Sequence, residues 1–268
     1  MQAASAAQAS APGDADLERR FGALRRLYGD GAYTRLRHLR VAVVGLGGVG
    51  SWAAEALARS GVAQLVLIDF DHVAESNVNR QVQALGSTLG QAKGEALRQR
   101  IADIHPGCEV LLVDDFVTPD NWPGLLQAPV DALIDACDQA RAKVALAAWA
   151  SHEGVPFVTV GAAGGKRLPQ RVEVEDLAAV THDPLLARVR QQLRKDHAAA
   201  RKGPMGVRCV FSREPVLMPQ DDEACEPGAR LACHGYGSSV TVTATFGMTA
   251  AAEALEAALA RGLQPTVL

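Results

Sequence analysis

VAVVGLGGVGSWAAEALARSGVAQLVLID, residues Val41 to Asp69, decides the fold. VAVVG is a continuous Val-rich run closed by glycine, the composition of a strand covered on both faces. The glycines that follow give way to an alanine-rich stretch ending at Gly61, which reads as a helix and its stop. LVLID, Leu65 to Asp69, is a second buried strand. Strand, helix and strand in this order form a βαβ unit with parallel strands and a right-handed crossover. Within it, Gly45-Leu-Gly47-Gly48-Val-Gly50 fits G-x-G-x-x-G, where backbone N–H groups and the helix dipole hold phosphate. Asp69 closes the next strand, placed to accept ribose hydroxyls.

Outward from this unit the alternation continues. The spacing predicts a helix from Gln91 to Ile104 halted by Pro106, strands at Glu109–Val113 and Val130–Ala136, a helix after Asp138 and a strand at Phe157–Val160. The fold class is therefore α/β, a doubly wound, Rossmann-like, mostly parallel sheet over about Leu39 to Gly165. Before it, DLERRFGALRRLYG places Leu17, Phe21, Leu24 and Leu27 at helical spacing among arginines, a packed arginine-rich helix. After Gly165, VEVED reads as a short strand, and Asp183-Pro184 supplies N-cap and N1 residues for a basic helix to about Lys195. Short strands are expected at Val207–Phe211 and Val216–Met218, a loop over 219–238, and a final helix ending at Arg261 with Gly262 at C′. The chain thus divides into a tail (1–15), a nucleotide-binding unit with its amino-terminal helix (16–165) and a carboxyl-terminal extension on the same sheet (166–268).

The 268 residues suffice for a sizeable core, and 48% hydrophobic with 21% charged residues excludes a chain disordered throughout. A net charge of −3 carries no chain-wide field toward nucleic acid, and nothing points to DNA. The average conceals a local patch: between 188 and 213 eight basic residues, among them Arg190, Arg194, Lys195, Arg201 and Lys202, face a single acid, Asp196. Such a patch binds an RNA backbone by counterion release, unless it is simply a solvated helix face. From Arg230 to Glu253 no charged residue occurs, but the serines and threonines there make the stretch too polar for lipid. No secretory segment is apparent at the start, and the five cysteines contain no C-x-x-C pair, so reduced thiols in a cytoplasmic protein without a paired structural zinc site are expected.

Taken alone, the glycine loop and Asp69 favour a dinucleotide. Arg80 and Lys93, beside Asn77, speak for a triphosphate instead, because a nicotinamide site needs no cluster of cations near the phosphates. Asp138, at the carboxyl end of a strand near the sheet's switch point, either holds Mg²⁺ on the phosphates or caps the helix that follows.

Together GLGGVGSW, DFD, SNVNRQ, GQAK and DACD resemble the ubiquitin-activating-enzyme-like adenylating superfamily. That resemblance implies ATP and Mg²⁺ as cofactors, with Gly48 and Asp69 on the nucleoside, Asn77 and Arg80 on the phosphates, Lys93 near the α-phosphate and Asp138 on the metal. RFGALRRLYG, VDDFVTPDNW, GAAGG, HDPLLARVRQQLRK, VRCVFSREP and CHGYGS are similar to the superfamily branch that cyclises a threonylcarbamoyl-modified adenosine of tRNA. One departure is GAAGG, where GGAGG is expected. The likeness implies ATP-dependent dehydration through an acyl-adenylate, with tRNA and a second copy of the chain as partners and sulfur-relay proteins an open addition. The neighbouring enzyme reading is adenylation of a sulfur-carrier protein's terminal glycine; a non-catalytic nucleotide-binding scaffold is the reading from another class. Cys233 occupies the place where thioester-forming relatives carry a reactive thiol, with His234 beside it, and the competing reading is an inert loop thiol. The likeness further implies an arginine, Arg20 or Arg26, offered to the partner's γ-phosphate.

Overall fold

A computed structural model describes residues 16–217 and 236–261. Strands β1 (Arg40–Val44), β2 (Gln64–Ile68), β3 (Glu109–Val113), β4 (Ala132–Asp135), β5 (Phe157–Val160), β6 (Val172–Asp176) and β7 (Arg208–Ser212) form one sheet in the order β3-β2-β1-β4-β5-β7-β6. Every pairing is parallel except the edge pair β6–β7. The sheet therefore reaches well past Gly165: β7 lies parallel beside β5, and VEVED forms the antiparallel edge. Strands β1, β2, β4 and β5 are buried almost throughout, as their apolar runs require, because helices cover both faces.

One face is covered by α4 (Gly50–Arg59), α5 (Lys93–Ile104) and α8 (Val240–Arg261), whose Leu57, Ile101 and Phe246 share a core with Val41 and Leu65. The other carries α6 (Ala140–Glu153) and α7 (Pro184–Asp196), with Leu146, Leu186 and Val189 against Leu133 and Phe211. Asp183 caps α7 as the sequence suggests, accepting from Leu186 N at 2.9 Å, with Pro184 at the first helical position. Among the described residues no helix is long and apolar enough to cross a membrane.

Two expectations need correction. The arginine-rich segment is not one helix but two short ones, α1 (Leu17–Phe21) and α2 (Ala23–Tyr28), broken at Gly22 and ended at Gly29, after which α3 (Asp30–Leu36) follows. The break turns Leu27 outward, to 73% exposure, while Phe21 stays buried. Val216 and Leu217 form no strand: Pro215 has no N–H to give a ladder, and Leu217 N donates to Gly165 O at 2.8 Å as an irregular link. Met218, Cys233 and Gly262 lie outside the described residues.

Candidate active site

The carboxyl ends of β1, β2 and β4 present the loop, the acid and the turn that the sequence singles out. Gly45 sits at φ +84°, a conformation strained for residues with a side chain, and a Cβ there would stand 2.9 Å from Cys137 N. Gly50 opens α4 so close to the loop that an added Cβ would overlap Gly45 O. The loop thus packs against the turn after β4, and the amino end of α4 packs against Gly45.

Asp69 binds this loop directly. Its Oδ2 accepts from Leu46 N at 2.6 Å and its Oδ1 from Asp71 N at 2.8 Å. Burial raises its pKa above the ordinary carboxylate value, against the pull of Lys93 and the two backbone N–H groups. Lys93, at the start of α5 and nearly buried, has its Nζ 2.7 Å from Asp71 Oδ2 and 3.9 Å from Asp69 Oδ1. Arg80 lies across the loop: a Cβ on Gly48 would touch its Cγ at 3.1 Å, and its guanidinium donates to Ser76 O and Asn79 Oδ1 at 2.7 and 2.9 Å. The Asn77 carboxamide accepts from Ala74 N at 3.1 Å, locking the short 3₁₀ turn Glu75–Asn77 that carries Arg80. Gly45, Gly47, Gly48, Gly50, Asp69, Asn77, Arg80 and Lys93 are therefore brought to one end of the sheet.

Asp138 follows the turn against which Gly45 rests. It is exposed, and its carboxylate does not cap α6, whose N-cap is Gln139 without a side-chain bond. An exposed carboxylate beside a phosphate loop suits Mg²⁺, a hard cation that takes one or two carboxylates and completes its shell with phosphate oxygens and water. Among the described residues no cluster of three or more His, Cys, Asp or Glu side chains forms a metal cage of its own.

Sequence reasoning missed the groups that hold this end of the sheet. Asp135, ending β4, and Lys143, in α6, are a wholly buried ion pair at 3.1 Å. Asp135 Oδ1 also accepts from Cys137 N at 3.2 Å, and Lys143 Nζ donates to Val160 O at 2.7 Å and Thr159 Oγ1 at 3.2 Å. The pair thereby ties the turn after β4 to the carboxyl end of β5. A signal was present: Lys143 falls on the helical stripe of Leu146, Ala147 and Ala150, where a solvated lysine has no place. Asp183 also serves twice, since its Oδ2 holds Ala162 N of the GAAGG loop at 2.8 Å.

Arg190, Arg194, Lys195 and Arg201 line one concavity of about 470 Å³ on α7. Arg190 is partly committed to the fold, donating to Leu177 O and Val180 O at 3.0 and 2.7 Å. Lys202 is exposed and does not line the concavity. Arg20 closes the carboxyl end of α5, donating to Asp103 O and Ile104 O at 2.8 and 2.6 Å, so of the two arginines considered for a partner's site only Arg26 projects from an exposed position without such a contact. Cys137 gives its thiol to Asp135 Oδ1 at 3.0 Å; burial and that carboxylate push it well above the ordinary thiol pKa. Burial pushes Cys108 up to about 12 and raises Cys209 as well, which disfavours the thiolate at all three.

Fold and site define a doubly wound α/β protein that gathers a glycine loop, two cations and an exposed carboxylate at the carboxyl end of its sheet. The ThiF family model matches residues 21–267, and the chain belongs to that family. It is 44% identical over 252 residues to tRNA threonylcarbamoyladenosine dehydratase of Escherichia coli (strain K12), covering 90% of this chain and 94% of that protein. The dehydratase of the same name from Haemophilus influenzae is 40% identical over 242 residues, covering 89% and 93%. The crystal structure of the E. coli enzyme in complex with ATP superposes with a TM-score of 0.84 at 42% identity, covering 92% of this chain and 97% of that one.

Proposed function

We propose that this chain catalyses the ATP-dependent dehydration of threonylcarbamoyladenosine in tRNA. The observation that carries the reading is the likeness to the E. coli dehydratase over 90% of the chain, including its ATP-bound form.

A carboxylate is a poor acyl donor because its leaving group would be oxide. Its attack on the α-phosphorus of ATP expels pyrophosphate and leaves an acyl-adenylate. The substrate's own carbamoyl group then attacks the acyl carbon, the bond to AMP breaks, and a proton passes to solvent, so the ring closes with net loss of water. The protein's share is positioning and charge neutralisation. Asp69 receives the ribose hydroxyls, the loop Gly45–Gly50 and the amino end of α4 receive phosphate, and Arg80 and Lys93 offset the charge that gathers on the departing pyrophosphate. Asp138 would hold Mg²⁺, which would supply further neutralisation of phosphate charge there. The ligase class of the reaction, ATP going to AMP and pyrophosphate, follows from this sequence of steps.

The concavity formed by Arg190, Arg194, Lys195 and Arg201, with Lys202 beside it, is the surface for the tRNA backbone. In the homodimer the exposed Leu27 and Arg26 lie at the contact with the second copy, Arg26 reaching the partner's nucleotide. No protein nucleophile is required, so Cys233→Ser retains turnover; loss of the cyclic product with adenylation preserved would assign Cys233 a thioester step instead.

The deciding experiment measures pyrophosphate release with modified tRNA, with a sulfur-carrier protein, or with no acceptor. Release that depends on modified tRNA and equals the cyclic nucleoside formed is expected. Release only with the carrier protein would refute the reading, as would none with any acceptor.

A further inference from the structure

Lys93 does not wait for its phosphate alone. Its ammonium is held 2.7 Å from Asp71 Oδ2, while Asp69 Oδ1 stands 3.9 Å away, beyond hydrogen-bond reach. The link is reinforced by the backbone: Lys93 N donates to Asp71 O at 2.9 Å, and Val73 and Gly90–Gln91 are laced together by two further bonds. Asp71 in turn donates its own N–H to Asp69 Oδ1 at 2.8 Å. Asp71 therefore stands between the acid that reads the ribose and the lysine that reads the phosphates.

Both Lys93 and Asp69 are nearly buried, with side chains 7% and 8% exposed, whereas that of Asp71 is 53% exposed. In so little water an ammonium pairs with the nearest free carboxylate. Without Asp71 that carboxylate is Asp69, whose oxygens already accept from Leu46 N and Asp71 N. A lysine drawn onto it would consume the remaining acceptor capacity of Asp69.

We infer that Asp71 is a positioning residue for nucleotide recognition, which by holding Lys93 keeps Asp69 open to the ribose hydroxyls. The inference rests on Asp69 as the ribose acceptor, and one experiment separates the two. Binding of ATP and of 2′,3′-dideoxy-ATP, each with saturating Mg²⁺, is measured by calorimetry on the full chain, its Asp71→Ala variant and its Asp71→Glu variant.

The native protein is expected to prefer ATP by about ten-fold or more, the weight of hydrogen bonds to a charged acceptor. Asp71→Ala should lose most of that preference, weakening ATP binding while leaving the dideoxy nucleotide nearly unaffected; Asp71→Glu should restore the preference in part. A loss confined to the hydroxyl-bearing nucleotide is something a merely loosened loop cannot produce. Equal weakening of both nucleotides with the preference intact would overturn the role of Asp71. Absence of any preference in the native protein would overturn Asp69 as the ribose acceptor, and the inference with it. If Asp71→Ala does not fold, Asp71→Ser, which keeps the backbone bonds and lacks the charge, carries the same comparison.

Discussion

Replacing Lys143 by methionine should be among the most damaging single changes to the fold. The lysine Nζ serves Asp135 Oδ2, Thr159 Oγ1 and Val160 O at 3.1, 3.2 and 2.7 Å, with neither partner of the ion pair exposed. Methionine fills most of the volume but leaves the Asp135 carboxylate buried with only the Thr159 hydroxyl at 2.7 Å, Cys137 N and the Cys137 thiol. An uncompensated buried charge of this kind costs about 3–5 kcal/mol. In a domain of this size each kcal/mol lowers Tm by about 2–4 °C, so a fall of roughly 6–20 °C is expected. Urea unfolding followed by circular dichroism measures the free energy, and calorimetry the midpoint. The double variant Asp135→Asn with Lys143→Met removes both charges and should recover more than half of the loss. Burial pulls the Lys143 pKa down, but the Asp135 carboxylate outweighs it and leaves the value raised. A raised lysine pKa contributes stability below its unfolded value and loses it only as pH climbs through the folded one, so the lysine's own share of the deficit should stay constant between about pH 6 and 9. A loss below about 1 kcal/mol, or a double variant no better than the single, would refute the reasoning.

Further outcomes follow from other parts of the structure. His105, buried against Phe21 and 3.1 Å from Arg37, has its pKa lowered to about 4 by burial, then by Arg37 and Arg20. The unfolded chain therefore takes up this proton first, and stability should fall as pH drops from about 6.5 toward 4; comparison of unfolding curves with His105→Gln, which should flatten that slope, checks it. Gly50→Ala places a methyl onto Gly45 O and should abolish measurable ATP binding in calorimetry while the circular dichroism of the fold persists. Reversing Arg194, Lys195 and Arg201 to glutamate should weaken tRNA binding and lower the slope of log K against log salt by roughly one for each phosphate no longer neutralised, read from filter-binding titrations. An unchanged slope would remove this concavity as the tRNA surface.

The βαβ unit and its glycine loop were legible because period and punctuation are local: Val-rich strands buried on both faces, a glycine of positive φ at each end of the α4 connection, Gly45 and Gly61, and an acid at the strand end. β3 and β5 fall at the expected residues, Glu109–Val113 and Phe157–Val160, for the same reason. Where the reading failed, a local pattern met a non-local constraint. Apolar spacing in DLERRFGALRRLYG continued through Gly22, which breaks the helix, and Leu27 kept its period yet lost its core. Val216 has strand composition, but its neighbours are Pro215 and a single bond to Gly165.

By itself the sequence determined which residues gather at the carboxyl end of the sheet, because a glycine loop, a strand-end acid and two cations are carried on short segments placed by the local βαβ pattern. Only the tertiary structure decided what those groups touch. It buried Lys143 on Asp135, set Lys93 on Asp71, gave Arg20 to the carbonyls of α5 and left Asp138 uncommitted. Charges in a low-dielectric interior choose partners by proximity across the fold, and proximity between Asp71 and Lys93, or Asp135 and Thr159, is not a property of any stretch of chain.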